Sequence, residues 1–236
     1  MEVKLYAKPQ IVEVSKWIGE DSDLLGGTAA ALCTGYEGNP INALNGAITS
    51  GHESVVEHGN FTFIISDVSR VLLAQLTRHR IASFSVQSQR YCGINATGIQ
   101  ALYDVDELFV VPNSMNGKKK NNVSVADDYR YFCLEAVKRY LDYVEMGVPE
   151  EDARFVLPQG IKTKLMLTMN CRELRHFLAL RLCNRAQWEI RELAEKMYAI
   201  CKKEAPEIFK NAGCGCMNTG CTEGKKSCGH SRKGEL

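Results

Sequence analysis

The sequence predicts a fold of mixed α and β structure, on three observations. Short segments dense in aromatic and β-branched residues, such as Phe61-Thr-Phe-Ile-Ile65, read as strands. Longer stretches with apolar residues at helical spacing read as helices, and they do not follow the strands in strict βαβ alternation. Neither a G-x-G-x-x-G run nor a Walker-type loop is present, which argues against a Rossmann or P-loop enzyme.

Taken in order, Val3, Leu5 and Ala7 alternate as a first strand. Ile41 to Ile48, after Pro40, reads as a helix, and Ser54-Val-Val-Glu57 has capping-box spacing for another short one. The strand Phe61–Ile65 leads to a helix from Val68 to His79. Asn113–Asn122 (NSMNGKKKNN) is a polar loop that breaks the chain. A long amphipathic helix from about Val125 to Met146 sets Tyr129, Phe132, Val137, Tyr140 and Val144 on one side, and Gly147 and Pro149 end it. Lys164 to Met169 is a strand. Asn170-Cys-Arg-Glu173 again has capping-box-like spacing, before a helix to about Cys183. Gln187 to Glu204 is the last long helix, stopped near Pro206. From Ala212 the chain is rich in Gly, Lys and Ser and cannot bury a core of its own, so residues 1–211 form the folded unit and 212–236 a tail, flexible or metal-binding.

Composition narrows the function classes. The chain has 236 residues, 45% hydrophobic and 24% charged, with a net charge of 29 − 28 = +1, which gives no global attraction to nucleic acid or membrane. No apolar run approaches the roughly 18 residues of a membrane span, and the start lacks the apolar segment of a signal peptide. Ten cysteines in a chain of this length suit a reduced, cytoplasmic setting better than a disulfide scaffold. Six of them (Cys33, Cys92, Cys133, Cys171, Cys183, Cys201) sit among apolar residues and read as core thiols. The others crowd the tail. Cys214-x-Cys216, Cys221 and Cys228-x-His230 offer zinc-ligand types without a regular CxxC pattern, and a disordered tail with exposed thiols is the alternative.

The neutral total hides a local imbalance. From Val68 through Tyr103 there is no Asp or Glu, while Arg70, Arg78, Arg80 and Arg90 all lie there. Ser83, Ser85, Gln87 and Ser88 follow the Arg78-His79-Arg80 run and can aim donors at phosphate oxygens, so this stretch is a candidate anion site; a solvated basic face is the plainer alternative. Nucleic-acid binding with Phe84 and Tyr91 as stacking groups is disfavoured by overall neutrality and the lack of a continuous Lys/Arg stripe. A second set of cations comprises Arg154, Arg172, Arg175, Arg181 and Arg185. Positions 174, 178, 181 and 185 share a helix face made apolar by Leu174 and Leu178, so Arg181 must meet an anionic ligand or a carboxylate such as Glu189 or Glu192. His52, His58 and His176 are candidate site residues, each with a hydrogen-bonded structural role as the alternative. No Ser/His/Asp or Cys/His spacing supports covalent hydrolysis, and no metal site is assigned to the folded unit.

Arg78-His79-Arg80, then seven residues, then Ser88, followed by Gln89-Arg90-Tyr91, resembles the signature of flavin-dependent thymidylate synthases. Gly51-His-Glu-Ser-Val-Val-Glu-His58 with Phe61-Thr-Phe63 is similar to the family's segment before the signature. Arg154-Phe-Val-Leu-Pro158, Asn170-Cys-Arg172 and the stretch from His176 through Ile190 are similar to its C-terminal half. The resemblance implies an α+β fold, a mixed sheet packed with long helices, assembled as a homotetramer with active sites at subunit interfaces. It implies methylation of dUMP to dTMP, with methylenetetrahydrofolate as carbon donor and NADPH reducing a bound FAD. Carried over, Ser54, Arg78, His79, Arg80, Val86, Asn170, Arg172 and His176 hold FAD; Gln75, Arg78, Gln87, Ser88, Gln89, Arg90, Arg154 and Arg181 hold dUMP; His52 lies near the folate and flavin face. Many members carry Asn-Glu where this chain has Ser85-Val86, so a carboxylate contact at Val86 is lost or supplied elsewhere.

Methylation at C5 needs an electron-rich uracil. A guanidinium cannot act as a base, but a preorganised one can stabilise negative charge along the N3–C4–O4 edge, and Arg181 is the candidate for that role. Ser88, by resemblance, binds rather than attacks.

Overall fold

The structure, a computed structural model, describes the backbone of residues 10–16 and residues 21–94, 99 and 101–236 in full. The strand expected at Val3–Ala7 lies outside the described residues. In chain order the elements are β1 (Gln10–Lys16), α1 (Ser22–Thr34), α2 (Pro40–Thr49), β2 (Asn60–Ser69), α3 (Arg70–Leu76), β3 (Ala82–Val86), β4 (Lys119–Lys120), β5 (Val123–Ser124), α4 (Val125–Glu145), α5 (Glu150–Ala153), β6 (Lys162–Asn170), α6 (Cys171–Arg181), α7 (Trp188–Glu204), α8 (Pro206–Phe209) and α9 (Gly215–Asn218). The main sheet has the strand order β1-β2-β6-β3 and β4 pairs with β5 in a hairpin, so the mixed α and β expectation holds. The chain divides into two compact units.

One unit contains residues 66–74 and 86–165. Its core gathers Val105, Phe109, Cys133, Val137 and Ile161, with α4 supplying Cys133 and Val137. Ser124 caps α4 by accepting a hydrogen bond from Asp127 N–H, and Gly147, at φ 87°, lets the chain turn away after it. Arg130 is buried on α4 because Asp106 takes its Nε and Nη2 at 2.8 and 2.9 Å and Asp127 its Nη1 at 3.1 Å. Phe132, expected on the core side, is 60% exposed; the buried stripe runs through Ala126, Arg130, Cys133, Val137 and Tyr140 instead. The polar break holds the β4–β5 hairpin. Asn121 and Asn122 form its turn at φ 52° and 65°, the left-handed pair that suits a two-residue hairpin.

The other unit contains residues 10–65, 75–85 and 166–236. Phe61, Phe63 and Ile65 of β2, Leu167 and Met169 of β6, Leu174, Phe177 and Leu178 of α6 and Ile190, Leu193 and Met197 of α7 are buried together as its core residues. Helix α1 has no counterpart in the sequence reading, because it buries Gly26, Gly27 and Ala30 rather than large side chains. Its smallness is functional to the packing: a Cβ at Gly27 would sit 2.5 Å from the Pro40 carbonyl oxygen that opens α2. Asp23 accepts from the backbone N–H groups of Glu207 and Ile208 at the start of α8, which ties α1 to the C-terminal helices.

Three boundaries move. Val68 and Ser69 complete β2 rather than begin a helix, and Ser69 Oγ accepts from Leu72 N–H to start α3. The Ser54 segment is a 3₁₀ turn over Glu53–His58 with no side-chain cap, so its capping-box spacing is not used. The serine-rich run after Arg80 forms the strand β3, with Ser83 and Ser85 exposed.

Candidate active site

Strand β6 runs straight into α6. Asn170 caps that helix by accepting Glu173 N–H at 2.8 Å. The other half of a capping box would send the Glu173 carboxylate back to Asn170, but it goes to His79 Nδ1, 2.9 Å away. His79 and Glu173 are both buried, with side chains 3% and 8% exposed. The opposite ring nitrogen, Nε2, lies 3.1 Å from Arg181 Nε at the far end of α6. Arg181 has only N–H donors, so His79 Nε2 must accept and Nδ1 must carry the proton toward Glu173. Burial pushes the His79 pKa down, against the Glu173 hydrogen bond that raises it, which favours this neutral tautomer. The Phe177 ring closes one side at 5.0 Å between centroids. The result is a chain of oriented groups, Glu173 to His79 to Arg181.

Arg181 is half-buried and makes no ion pair among the described residues; its second bond goes to the Gln75 carbonyl. Burial lowers its pKa. The Glu189 or Glu192 partner considered for it is not used. Arg185 is exposed, because α6 ends at Arg181 and the helical spacing that would have carried Arg185 onto the same face stops there. Arg78 and Arg80 project on either side of buried His79, both exposed and without an acidic partner among the described residues. Arg78, His79, Arg80, Ile81, His176 and Arg181 line a cavity of about 670 Å³. A second one, of about 720 Å³, shares Ile81, Glu173 and His176 and adds Asn170 and Arg172. Arg172 is paired with Glu57 at 2.5 Å, both groups about half exposed, and that bond raises its pKa. His79, Glu173 and His176 have ligand atoms within 4.8 Å of one another, but both His79 nitrogens already have partners, so the trio is a hydrogen-bonded relay. His52 and Ser54 lie elsewhere, on a groove of about 550 Å³ between α1 and α2.

The unit of residues 66–74 and 86–165 carries a separate cationic cluster. Ser88 Oγ accepts from Arg90 N–H at 3.1 Å, and Cys92 N–H bonds the Ser88 carbonyl, so Gln87–Cys92 is a tight turn. Arg90 Nε binds Glu151 at 2.5 Å, leaving both terminal nitrogens of the fork without a partner among the described residues. Arg154 Nε bonds the Glu151 carbonyl. Arg70 reaches the Gln87 carbonyl at 3.4 Å while its buried Nε has no partner among the described residues, and burial, then the nearby Arg154 charge, push its pKa down. Gln87 and Gln89 line a cavity of about 290 Å³. Val86 ends β3, half-buried.

Two residues escaped the sequence reading. Glu173 was legible only as a helix-start residue, since nothing in its spacing points to His79. Arg70 was counted in the candidate anion stretch but in no binding set, and the lack of acids around it was the signal available.

The family described as "Thymidylate synthase complementing protein" matches residues 14–207. A flavin-dependent thymidylate synthase of Geobacter sulfurreducens is 46% identical over 186 residues, 79% of this chain and 75% of that protein. One of Pyrococcus abyssi is 47% identical over 155 residues, 65% of this chain and 59% of that protein, and one of Clostridium tetani is 40% identical over 192 residues, 79% and 76%. The matched range takes in both cationic clusters and stops short of the cysteine-rich tail, and on that match the chain belongs to the thymidylate synthase complementing protein family.

Proposed function

We propose that this chain is a flavin-dependent thymidylate synthase of the cytoplasm, which methylates dUMP to dTMP with methylenetetrahydrofolate as carbon donor and NADPH as reductant. The observation that carries the reading is the Glu173–His79–Arg181 relay with unpaired Arg78 and Arg80 at its mouth, in a chain of this family. Half-burying the Arg181 cation without an acid among the described residues is costly unless an anion completes the site. The donor set fits FAD: exposed guanidinium forks beside a cavity of about 670 Å³ suit its pyrophosphate, and the adjoining cavity with Asn170, Arg172 and His176 offers further polar contacts. Bound FAD supplies the redox chemistry.

The chain's own groups hold and polarise. Arg181 keeps its proton, so it acts as a fixed cation. Oriented by His79 and half-buried, it stabilises negative charge on the uracil edge and so makes C5 nucleophilic. Glu173 fixes the His79 tautomer that leaves Nε2 free to accept. The free terminal nitrogens of Arg90, the Ser88 hydroxyl and the Arg70–Arg154 pair are suited to the nucleotide phosphate, with Gln87 and Gln89 beside them. Gln75 offers its carbonyl to Arg181 and thereby helps set the fork.

The same reading makes the enzyme a homotetramer with sites completed between copies. The implied FAD and folate residues of one chain are spread over separate grooves, and Ile81 and Leu180 stand 67% and 48% exposed at the rim of the charged cavity. Large apolar side chains around a polar site are what a second copy would cover. The visible spectrum of the purified protein tests the function. Flavin bands bleached by NADPH, with dTMP formed from dUMP, are expected; a colourless protein that takes up no FAD and makes no dTMP overturns the reading.

A further inference from the structure

The tail from Ala212 has Met217 and Leu236 as its only large apolar side chains, too little to hold it by hydrophobic burial. It nevertheless folds back along the loop that follows α6. Arg232 is buried, with Nη1 on the Leu182 carbonyl at 2.6 Å and Nη2 on Glu195 at 2.9 Å. Arg185 Nε donates to the Lys226 carbonyl at 2.6 Å, and Ser231 Oγ to the Cys216 carbonyl at 2.9 Å. These bonds gather thiols. Cys214 Sγ lies 3.5 Å from Cys216 Sγ. Gly213 is packed so that a Cβ there would lie 3.6 Å from Leu182 Cδ1, which sets Cys214 beside the loop that carries Cys183. Cys228 Sγ takes the Asn184 side-chain amide at 3.9 Å.

The Cys214–Cys216 spacing is informative. A disulfide requires about 2.05 Å between sulfurs. Two thiolates on one tetrahedral zinc, each about 2.3 Å from the metal, lie about 3.8 Å apart. At 3.5 Å the observed pair is in S–H···S contact, too far apart for a disulfide and near the second spacing. Cys183 stands on the adjoining loop and Cys228 beside Asn184 of that loop, both farther from the pair than ligand spacing, since the only three ligand atoms within 4.8 Å of one another among the described residues are those of His79, Glu173 and His176.

We propose that Cys183, Cys214, Cys216 and Cys228 form a structural site for one thiophilic divalent cation, zinc by ligand class, that pins the tail onto the end of α6. Each bound thiol gives its proton to solvent, and no electron is transferred. Cys183 replaces His230 of the sequence pattern, because His230 is drawn in only through its carbonyl, which accepts from Cys228. The site closes by rotation of the Cys183 and Cys228 side chains toward the pair.

The test is elemental analysis of the full-length protein, purified under reducing conditions and dialysed after incubation with zinc chloride. One zinc per chain is expected in the wild type and in Cys33→Ser, none in the Cys214→Ser, Cys216→Ser double variant, and weaker retention against a chelator in Cys183→Ser and Cys228→Ser. Cobalt substitution should give thiolate-to-metal charge-transfer absorption. Metal-free wild type, zinc retained by the double variant, loss on Cys221→Ser but not Cys183→Ser, or two thiols missing on titration in denaturant would each overturn the proposal. None of these readouts depends on flavin or nucleotide, so a failure here leaves the enzymatic reading untouched.

Discussion

Replacing Glu173 is the sharpest test of the relay. The carboxylate touches neither nucleotide nor flavin in the proposed arrangement; it holds His79, and His79 holds Arg181. Both partners are almost wholly buried, at 3% and 8% side-chain exposure, so solvent does not discount the bond. A hydrogen bond to a charged group contributes about 1.5–3 kcal/mol, and at about 1.4 kcal/mol per tenfold that corresponds to about 10- to 100-fold if the whole of it orients Arg181. Glu173→Ala, which strands His79 Nδ1–H, should sit at the upper end in kcat. Glu173→Gln should sit at the lower, since its amide oxygen can still accept while its NH₂ competes for the opposite tautomer. The KM for dUMP should change less than kcat. A pH profile separates this from a structural defect. Burial depresses the His79 pKa and the Glu173 bond opposes the depression, so Glu173→Gln should move the acid limb of kcat to lower pH. Thermal stability has its own sign: the unfolded chain takes up a proton near the ordinary histidine value of about 6.5 while folded His79 resists it, so stability falls as pH drops below that value. If tritium release from 5-labelled dUMP kept its wild-type kcat and acid limb in both variants while the Tm fell, the relay would be a packing device and the positioning argument would be wrong.

The remaining expectations concern the cations and the core. Arg181→Ala should lower kcat by about 100-fold or more while the flavin content per chain is retained, measured by absorbance of the released cofactor. Arg90→Ala should raise the KM for dUMP about tenfold and leave kcat within a few-fold, the modest size reflecting a group 53% exposed; a change in flavin content alone would place the phosphate elsewhere. Arg80→Ala should weaken FAD retention on gel filtration without altering the Tm, because Arg80 is exposed. Leu178→Ala, at a wholly buried position, should cost about 2–5 kcal/mol in chemical denaturation.

Periodicity and cap chemistry made much of the fold legible. Helices α2, α4, α6 and α7 and strands β2 and β6 announce themselves through apolar spacing and through Pro40, Asn170, Gly147 and Pro206. What escaped was set by contacts distant in sequence. Helix α1 packs through small residues, so its face carries little hydrophobic signal. Strand β3 went unassigned, because its exposed Ser83 and Ser85 leave little hydrophobic signal. Cys33 and Cys92, read as core thiols, are exposed, whereas Cys133, Cys171 and Cys201 are buried as expected. The cationic residues were visible as a charge imbalance, but their grouping was not. That Arg181 leans on His79 rather than on a glutamate depends on a separation of 102 positions, and no local pattern encodes it.

The absence of any linker between β6 and α6 turns the helix into a ruler. Asn170 stands at one end and Arg181 at the other, as the last of the 11 helical residues, which sets their axial separation at about 16 Å, at roughly 1.5 Å per residue. A single inserted residue would lengthen the ruler by about 1.5 Å and swing Arg181 by about 100° around the axis, away from His79. Length variation can therefore accumulate in the hairpin at Asn121–Asn122, while this one helix must keep its count.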